Sequence, residues 1–181
     1  MESNDDDLSA LREAEQARDD LAADLVVPPG YDVTIGAAVA FQIATTAVGL
    51  TVDHAWARTL LAVGVAVFGV VAGLQIIRFR RLNGVSVRGF VSRVILGSAI
   101  TATVGEILAI VTAYLAALRD LWWLVVLIAL AGGLVYVLSG RRWLRAYREQ
   151  PDRLGPGESV LWLALVVAVA VAGLTLLVIG S

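Results

Sequence analysis

The residue of this chain best placed to do chemistry is a single carboxylate in a long apolar run. Glu106 lies near the middle of Val94–Ala117, VILGSAITATVGEILAIVTAYLAA. About 20 apolar residues suffice to span the hydrocarbon of a bilayer. A charged side chain at that depth costs roughly 2.5–3.5 kcal/mol on insertion scales, so such groups face a bundle interior or a polar cavity. On a helix, the neighbours of Glu106 at three, four and seven residues are Ala99, Ala102, Thr103, Ala109, Ile110 and Ala113. Glu106 is therefore expected on a small-residue face that turns toward other helices.

The first hydrophobic run carries a matching polar face: Ala38, Gln42, Thr45, Thr46 and Gly49. Gln42 lies at a depth similar to that of Glu106. The pattern predicts an intramembrane polar pair, Glu106 with Gln42, with Thr46 and Thr103 beside it. Two chemistries are open to it. Burial disfavours the charged form of a carboxyl, so a protonated Glu106 can bond the Gln42 amide and hold two helices together. Alternatively, Glu106 exchanges a proton or binds a cation. No other apolar run holds a charged residue near its middle. Gln75 and Tyr136, toward the inner ends of the second and fourth runs, are candidates to line a path to it.

Other reactive groupings are missing from the sequence. There is no cysteine, so disulfides, thiolate metal sites and cysteine nucleophiles are excluded. All 14 basic residues are arginine, which excludes a Schiff-base lysine and the lysine of a phosphate-binding loop. Asp53 and His54 form a lone pair in a turn, where a solvated turn is the ordinary reading. No zinc-protease, nucleophile-elbow or Gly-rich phosphate motif occurs. We expect no enzyme activity, no cofactor and no metal.

The elements that must position Glu106 are long apolar spans in a chain that is 59% hydrophobic. We read them at about 33–51, 59–77, 94–117, 121–138 and 159–179. Short turns at Val52–Arg58 and Leu118–Asp120 make spans one and two, and three and four, antiparallel neighbours. Two longer connectors carry five arginines each: Arg78, Arg80, Arg81, Arg88 and Arg93, then Arg141, Arg142, Arg145, Arg148 and Arg153. Arginine excess marks the cytoplasmic side. The fold class expected is an all-α integral membrane protein, a five-transmembrane-helix bundle with N-terminus in and C-terminus out. Trp56, Trp122 and Trp123 then fall at the outer interface, and Tyr31, Trp143 and Trp162 at the inner one.

Residues 1–30 form an acidic cytoplasmic tail ending in the junction Val26-Val27-Pro28-Pro29-Gly30, and 31–181 the bundle. Residues 1–27 hold nine acids against two arginines, net -7; the remainder holds twelve arginines against seven acids, net +5. The tail has no basic stretch before an apolar core, so it does not read as a secretory signal. A thin stripe, Leu8, Leu11, Ala14, Ala17, Leu21 and Leu25, predicts a short surface helix.

Small residues form a seam on each of three spans: Ala62, Ala66, Gly69 and Gly73; Ala129, Gly132 and Gly133; Ala164, Ala168 and Ala172. Such seams hold a bundle together or join two copies. The arginine connectors suit anionic lipid head groups, at about 1 kcal/mol per residue. They also suit an acidic protein partner or the chain's own tail. Nucleic acid is an unsuitable partner for a chain with so acidic a tail. The class expected is a multi-pass protein of the cell membrane, a non-enzymatic accessory, regulatory or scaffolding component. The alternative is a small homo-oligomeric transporter or channel with Glu106 as the proton- or cation-coupling group.

Overall fold

The computed structural model describes residues 10–13, 16, 17, 20, 23–84 and 100–149, without the side chains of 100, 101, 147 and 149. The fifth expected span, the first residues of the third, and Arg88, Arg93, Arg153 and Trp162 lie outside them. The described residues form helices joined by turns. Four helices follow in order: α1 Tyr31–Thr51, α2 Ala55–Asn83, α3 Ile100–Ala117 and α4 Trp122–Glu149. Three segments are long and apolar enough to cross a membrane: Tyr31–Thr51, Ala55–Asn83 and Trp122–Ala146.

Local chemistry sets the helix ends. Pro28 and Pro29 cannot continue a helix backward, and Gly30 turns the chain with φ +75°. The Tyr31 amide then donates to the Pro28 carbonyl (3.1 Å) and the Thr34 amide to that of Gly30 (3.0 Å). Asp32 in the first turn opposes the positive pole of α1. At the far end of α2, Gly84 takes φ +64° and its amide caps the Arg80 carbonyl. Arg80 and Arg81 in that last turn suit the negative pole. Between α3 and α4, Asp120 adopts φ +56°, and the Leu121 amide donates to the Ala116 carbonyl (3.1 Å), reversing the chain within four residues.

Both arginine-bearing stretches begin as helix. The α2 helix runs six residues past the expected span end at Ile77, and α4 runs eleven past Leu138. Arginine is a good helix former, so charge ends the apolar run without ending the helix. At 29 and 28 residues, these helices are about 43 Å long, well beyond the roughly 30 Å of hydrocarbon. Arg78, Arg80, Arg81, Arg141, Arg142, Arg145 and Arg148 are all exposed on these extensions.

The central helix is α1, which packs against α2, α3 and α4, while α3 also packs on α4. It manages this with two opposed faces of small residues. Gly36, Ala40 and Ile43 meet α4 at Gly132, Gly133 and Val137. Gln42, Thr45 and Gly49 meet α2 at Gly64, Ala57 and Leu61. The contact between Gly133 and the Gly36 carbonyl is so close that no side chain fits there. The buried face of α2 is Ala57, Leu61, Gly64, Ala72, Gln75 and Phe79. Its other seam, Ala62, Ala66 and Gly69, is exposed, and a Cβ at Gly69 or Gly73 would meet nothing within 4 Å. The Gly-x-x-x-Gly of α2 thus holds no described helix. The packed stripe lies one residue, about 100°, around the same helix.

Large apolar side chains point outward along every helix, among them Val70, Leu74, Leu108, Leu130 and Leu134, each more than half exposed. The described tail residues 10–13, 16, 17, 20 and 23 are helical and exposed. The junction is not: Leu25 and Pro28 are buried at the arginine-rich end of the helices.

Candidate functional site

Glu106 sits on α3 among Ala102, Ala109 and Ala113; Ala102 and Ala113 are buried, and Glu106 and Ala109 are half-buried. The opposite face of α3 carries exposed Val104, Ile107, Leu108 and Val111. The carboxyl is therefore turned toward the other helices along the small-residue face.

One turn closer to the turn end, Ile43 of α1, Ala109 of α3 and Gly132 of α4 converge. A Cβ at Gly132 would lie 2.6 Å from Ile43 Cδ1 and 3.0 Å from Ala109 Cβ. On the other side of Glu106, toward the arginine-rich end, α4 supplies Tyr136. A Cβ at Gly105 would lie only 3.1 Å from Val135 Cγ1, so α3 and α4 pack closely there. Tyr136 is buried. Its ring meets that of Phe68 of α2 edge-on, with centroids 6.4 Å apart. Such pairs contribute about 0.5–1.5 kcal/mol beyond their burial.

Gln42 lies on the face of α1 that packs on α2, with its Cα beside Gly64. Its Oε1 is buried and has no hydrogen-bond partner among the described residues. An acceptor in that state takes a proton donor such as water. Thr46 and Thr103 are half-buried on α1 and α3. Thr45, on the Gln42 face, donates to the Phe41 and Gln42 carbonyls of its own helix.

A cross-helix pair that the sequence did not specify joins Gln75 of α2 to α1. Gln75 is 2% exposed, and its Nε2 donates to Thr34 Oγ1 at 2.6 Å. Its Oε1 has no partner among the described residues. The sequence pointed to Gln75 as a polar residue near the inner end of a span. The register that brings it to Thr34 depends on helix packing.

At the arginine-rich end the chain builds a groove of about 430 Å³, lined by Leu25, Val26, Tyr31, Asp32, Arg141 and Arg148 among others. Arg141 donates from Nε (2.8 Å) and Nη2 to Asp32 Oδ2. Arg148 Nη2 donates to the Leu25 carbonyl at 2.7 Å. Asn83 clasps Val26 from the other side: the Val26 amide donates to Asn83 Oδ1 (2.8 Å), and Asn83 Nδ2 donates to the Val26 carbonyl (3.0 Å). The junction is strapped between the ends of α2 and α4. In the opposite turn, Arg58 pairs with Asp53 at 3.3 Å, both exposed. Among the described residues, no three His, Cys, Asp or Glu side chains gather to hold a metal ion. No family model, no curated protein and no solved structure matches the chain.

Proposed function

We propose that this protein is a multi-pass component of the cell membrane, with its N-terminus and arginine-rich helix ends in the cytoplasm and five spans in all. Its role in this reading is accessory or regulatory: it presents an acidic tail and a basic platform to a partner or to anionic lipid. The observation that carries the reading is the strapped junction. Val26 is held by Asn83 and Leu25 by Arg148, so the tail of net charge -7 leaves the bundle from a fixed point beside exposed arginines. Deleting residues 1–24 is expected to abolish co-purification of a partner while leaving membrane insertion unchanged. Unaltered co-purification would remove this reading.

A second reading is supported by the placement of half-buried Glu106 among Ala102, Ala109 and Ala113, on the face of α3 away from its exposed apolar residues. In it the protein is a small homo-oligomeric transporter or channel, and Glu106 couples a proton or cation. Purified protein in liposomes with an internal pH-sensitive dye is expected to show proton-linked flux that Glu106→Gln abolishes. Flux that is absent, or unaltered in the variant, ends the second reading.

A further inference from the structure

The groove at the arginine-rich end is amphipathic. Its apolar walls are Leu25, Val26 and Val27 of the strap and Leu144 of α4. Gly140, Arg141, Leu144 and Arg148 recur at helical spacing and share one face of α4. A Cβ at Gly140 would meet nothing within 4 Å, so the helix leaves open space there. At about 430 Å³ the groove falls within the roughly 300–1,000 Å³ of small-ligand pockets.

Guanidinium groups set its charge. The described lining holds Arg141 and Arg148 against one carboxylate, that of Asp32. Asp32 accepts from Nε and Nη2 of Arg141, which fixes that guanidinium at the rim. Arg148 gives Nη2 to the Leu25 carbonyl. A guanidinium carries five N–H donors, so each arginine keeps donors beyond these bonds. Seven residues of helix set the two about 10 Å apart along α4. Arg145, exposed one turn from Arg141, adds a third positive charge beside them.

Depth selects the ligand. Tyr31 opens α1, and Arg141 follows closely on Leu138, where the fourth apolar run ends. In a bilayer that is the level of the head groups. A soluble anion gains nothing from the apolar walls, and a neutral apolar ligand leaves the arginines unused. A phospholipid with a negative head group satisfies both. Basic pockets between transmembrane helices on the cytoplasmic side take anionic head groups, and the planar guanidinium matches phosphate oxygens.

We propose that this groove binds one anionic phospholipid, with its phosphate at the Arg141–Arg148 rim and its upper acyl chain against Leu144 and the Leu25–Val27 strap. The site rests on the first reading above, which places these helix ends at the cytoplasmic membrane surface, and it names the lipid contact of that surface. A lipid seated there touches both the strap and α4.

The full chain is purified in a neutral detergent and titrated with dioleoyl phosphatidylglycerol or dioleoyl phosphatidylcholine. Mass spectrometry of the intact protein counts the lipids retained. One phosphatidylglycerol is expected to bind saturably, at least about tenfold tighter than phosphatidylcholine. Arg148→Gln should weaken it about fivefold. Arg142→Gln, on the same helix but outside the groove, should leave it within about twofold. Gly140→Leu fills the open space without changing charge and should lower phosphatidylglycerol binding to the level of phosphatidylcholine. If Arg148→Gln does not fold, Gly140→Leu decides the question, since nothing stands within 4 Å of its Cβ. Binding unchanged in Gly140→Leu, or weakened equally by Arg148→Gln and Arg142→Gln, would show diffuse charge on the helix and overturn the proposal. Equal binding of the soluble head group glycerophosphoglycerol overturns it in favour of free phosphate esters. Binding that emerges only after deletion of residues 1–24 overturns it by making the tail the occupant. Saturable lipid binding without a tail-dependent partner keeps the groove site and removes the accessory reading. A tail-dependent partner without saturable binding does the reverse.

Discussion

Glu106 and Gln42 test what a lone polar group does inside a bundle. Interhelical hydrogen bonds in membranes average about 0.6 kcal/mol and reach roughly 1.7. Leaving a buried partner unsatisfied adds about 1–3 kcal/mol. If Glu106 holds a neighbouring helix, Glu106→Leu should lower unfolding stability in detergent by roughly 1–2 kcal/mol, while Glu106→Gln stays within about 0.5. Equal stability of all three forms would show that the carboxyl carries no packing bond. Asn83 offers a sharper case at the surface, since one side chain serves both backbone groups of Val26 and also donates to the Phe79 carbonyl. Asn83→Ala removes these bonds at about 1 kcal/mol each. Protease cleavage within 24–30 should then accelerate several-fold, and unchanged cleavage would mean that Arg148 alone holds the strap. The ion pair of Asp32 and Arg141 is a smaller matter, because Arg141 is more than half exposed and such pairs contribute about 0–1 kcal/mol.

Among the elements, what the sequence makes legible follows the physics of each signal. Apolar runs locate α1, α2 and α4, because burial in lipid needs an uninterrupted length. Their ends are less legible. Hydropathy stops at Ile77 and Leu138, whereas helix continues to Asn83 and Glu149, because arginine satisfies the helix while failing the hydropathy test. The choice of packing face on α2 was also hidden. Two small-residue stripes run side by side on it, and the fits of Gly64 to Thr45 and of Leu61 to Gly49 of α1 select between them. Glu106 was found from one line of sequence, yet the pairing of Gln75 with Thr34 depends on inter-helix register. The glycines give a paired test. Gly133→Ala drives a methyl into the backbone carbonyl of Gly36, which cannot rotate away, and should cost about 1–3 kcal/mol. Gly69→Ala meets nothing and should be neutral or gain up to about 1 kcal/mol of helix propensity. A large loss at Gly69 would reveal a partner helix on that face.

For the molecule as a whole, the outward apolar surface is the dominant property. Leu108 and Leu130 are each 59% exposed, equal to Leu11 of the tail. Substitution tests whether lipid covers the first two and water the third. Leu108→Arg or Leu130→Arg should each cost roughly 2.5–3.5 kcal/mol of insertion free energy, read as loss of protein resistant to alkaline extraction from membranes. Leu11→Arg should leave extraction unchanged. If all three behave alike, the helices do not lie in lipid.

The strap at Leu25–Val26 has a mechanical consequence. The α2 and α4 helices are rods about 43 Å long, and an added tilt of about 10° would swing the free end of either by roughly 7 Å. Bilayers of different thickness impose such tilts. The strap is fastened to the end of each rod, through Asn83 on one and Arg148 on the other. It acts as a tie between two levers: their ends move together, or the tie gives way. A change in bilayer thickness that splays the levers would be felt first where the acidic tail is moored.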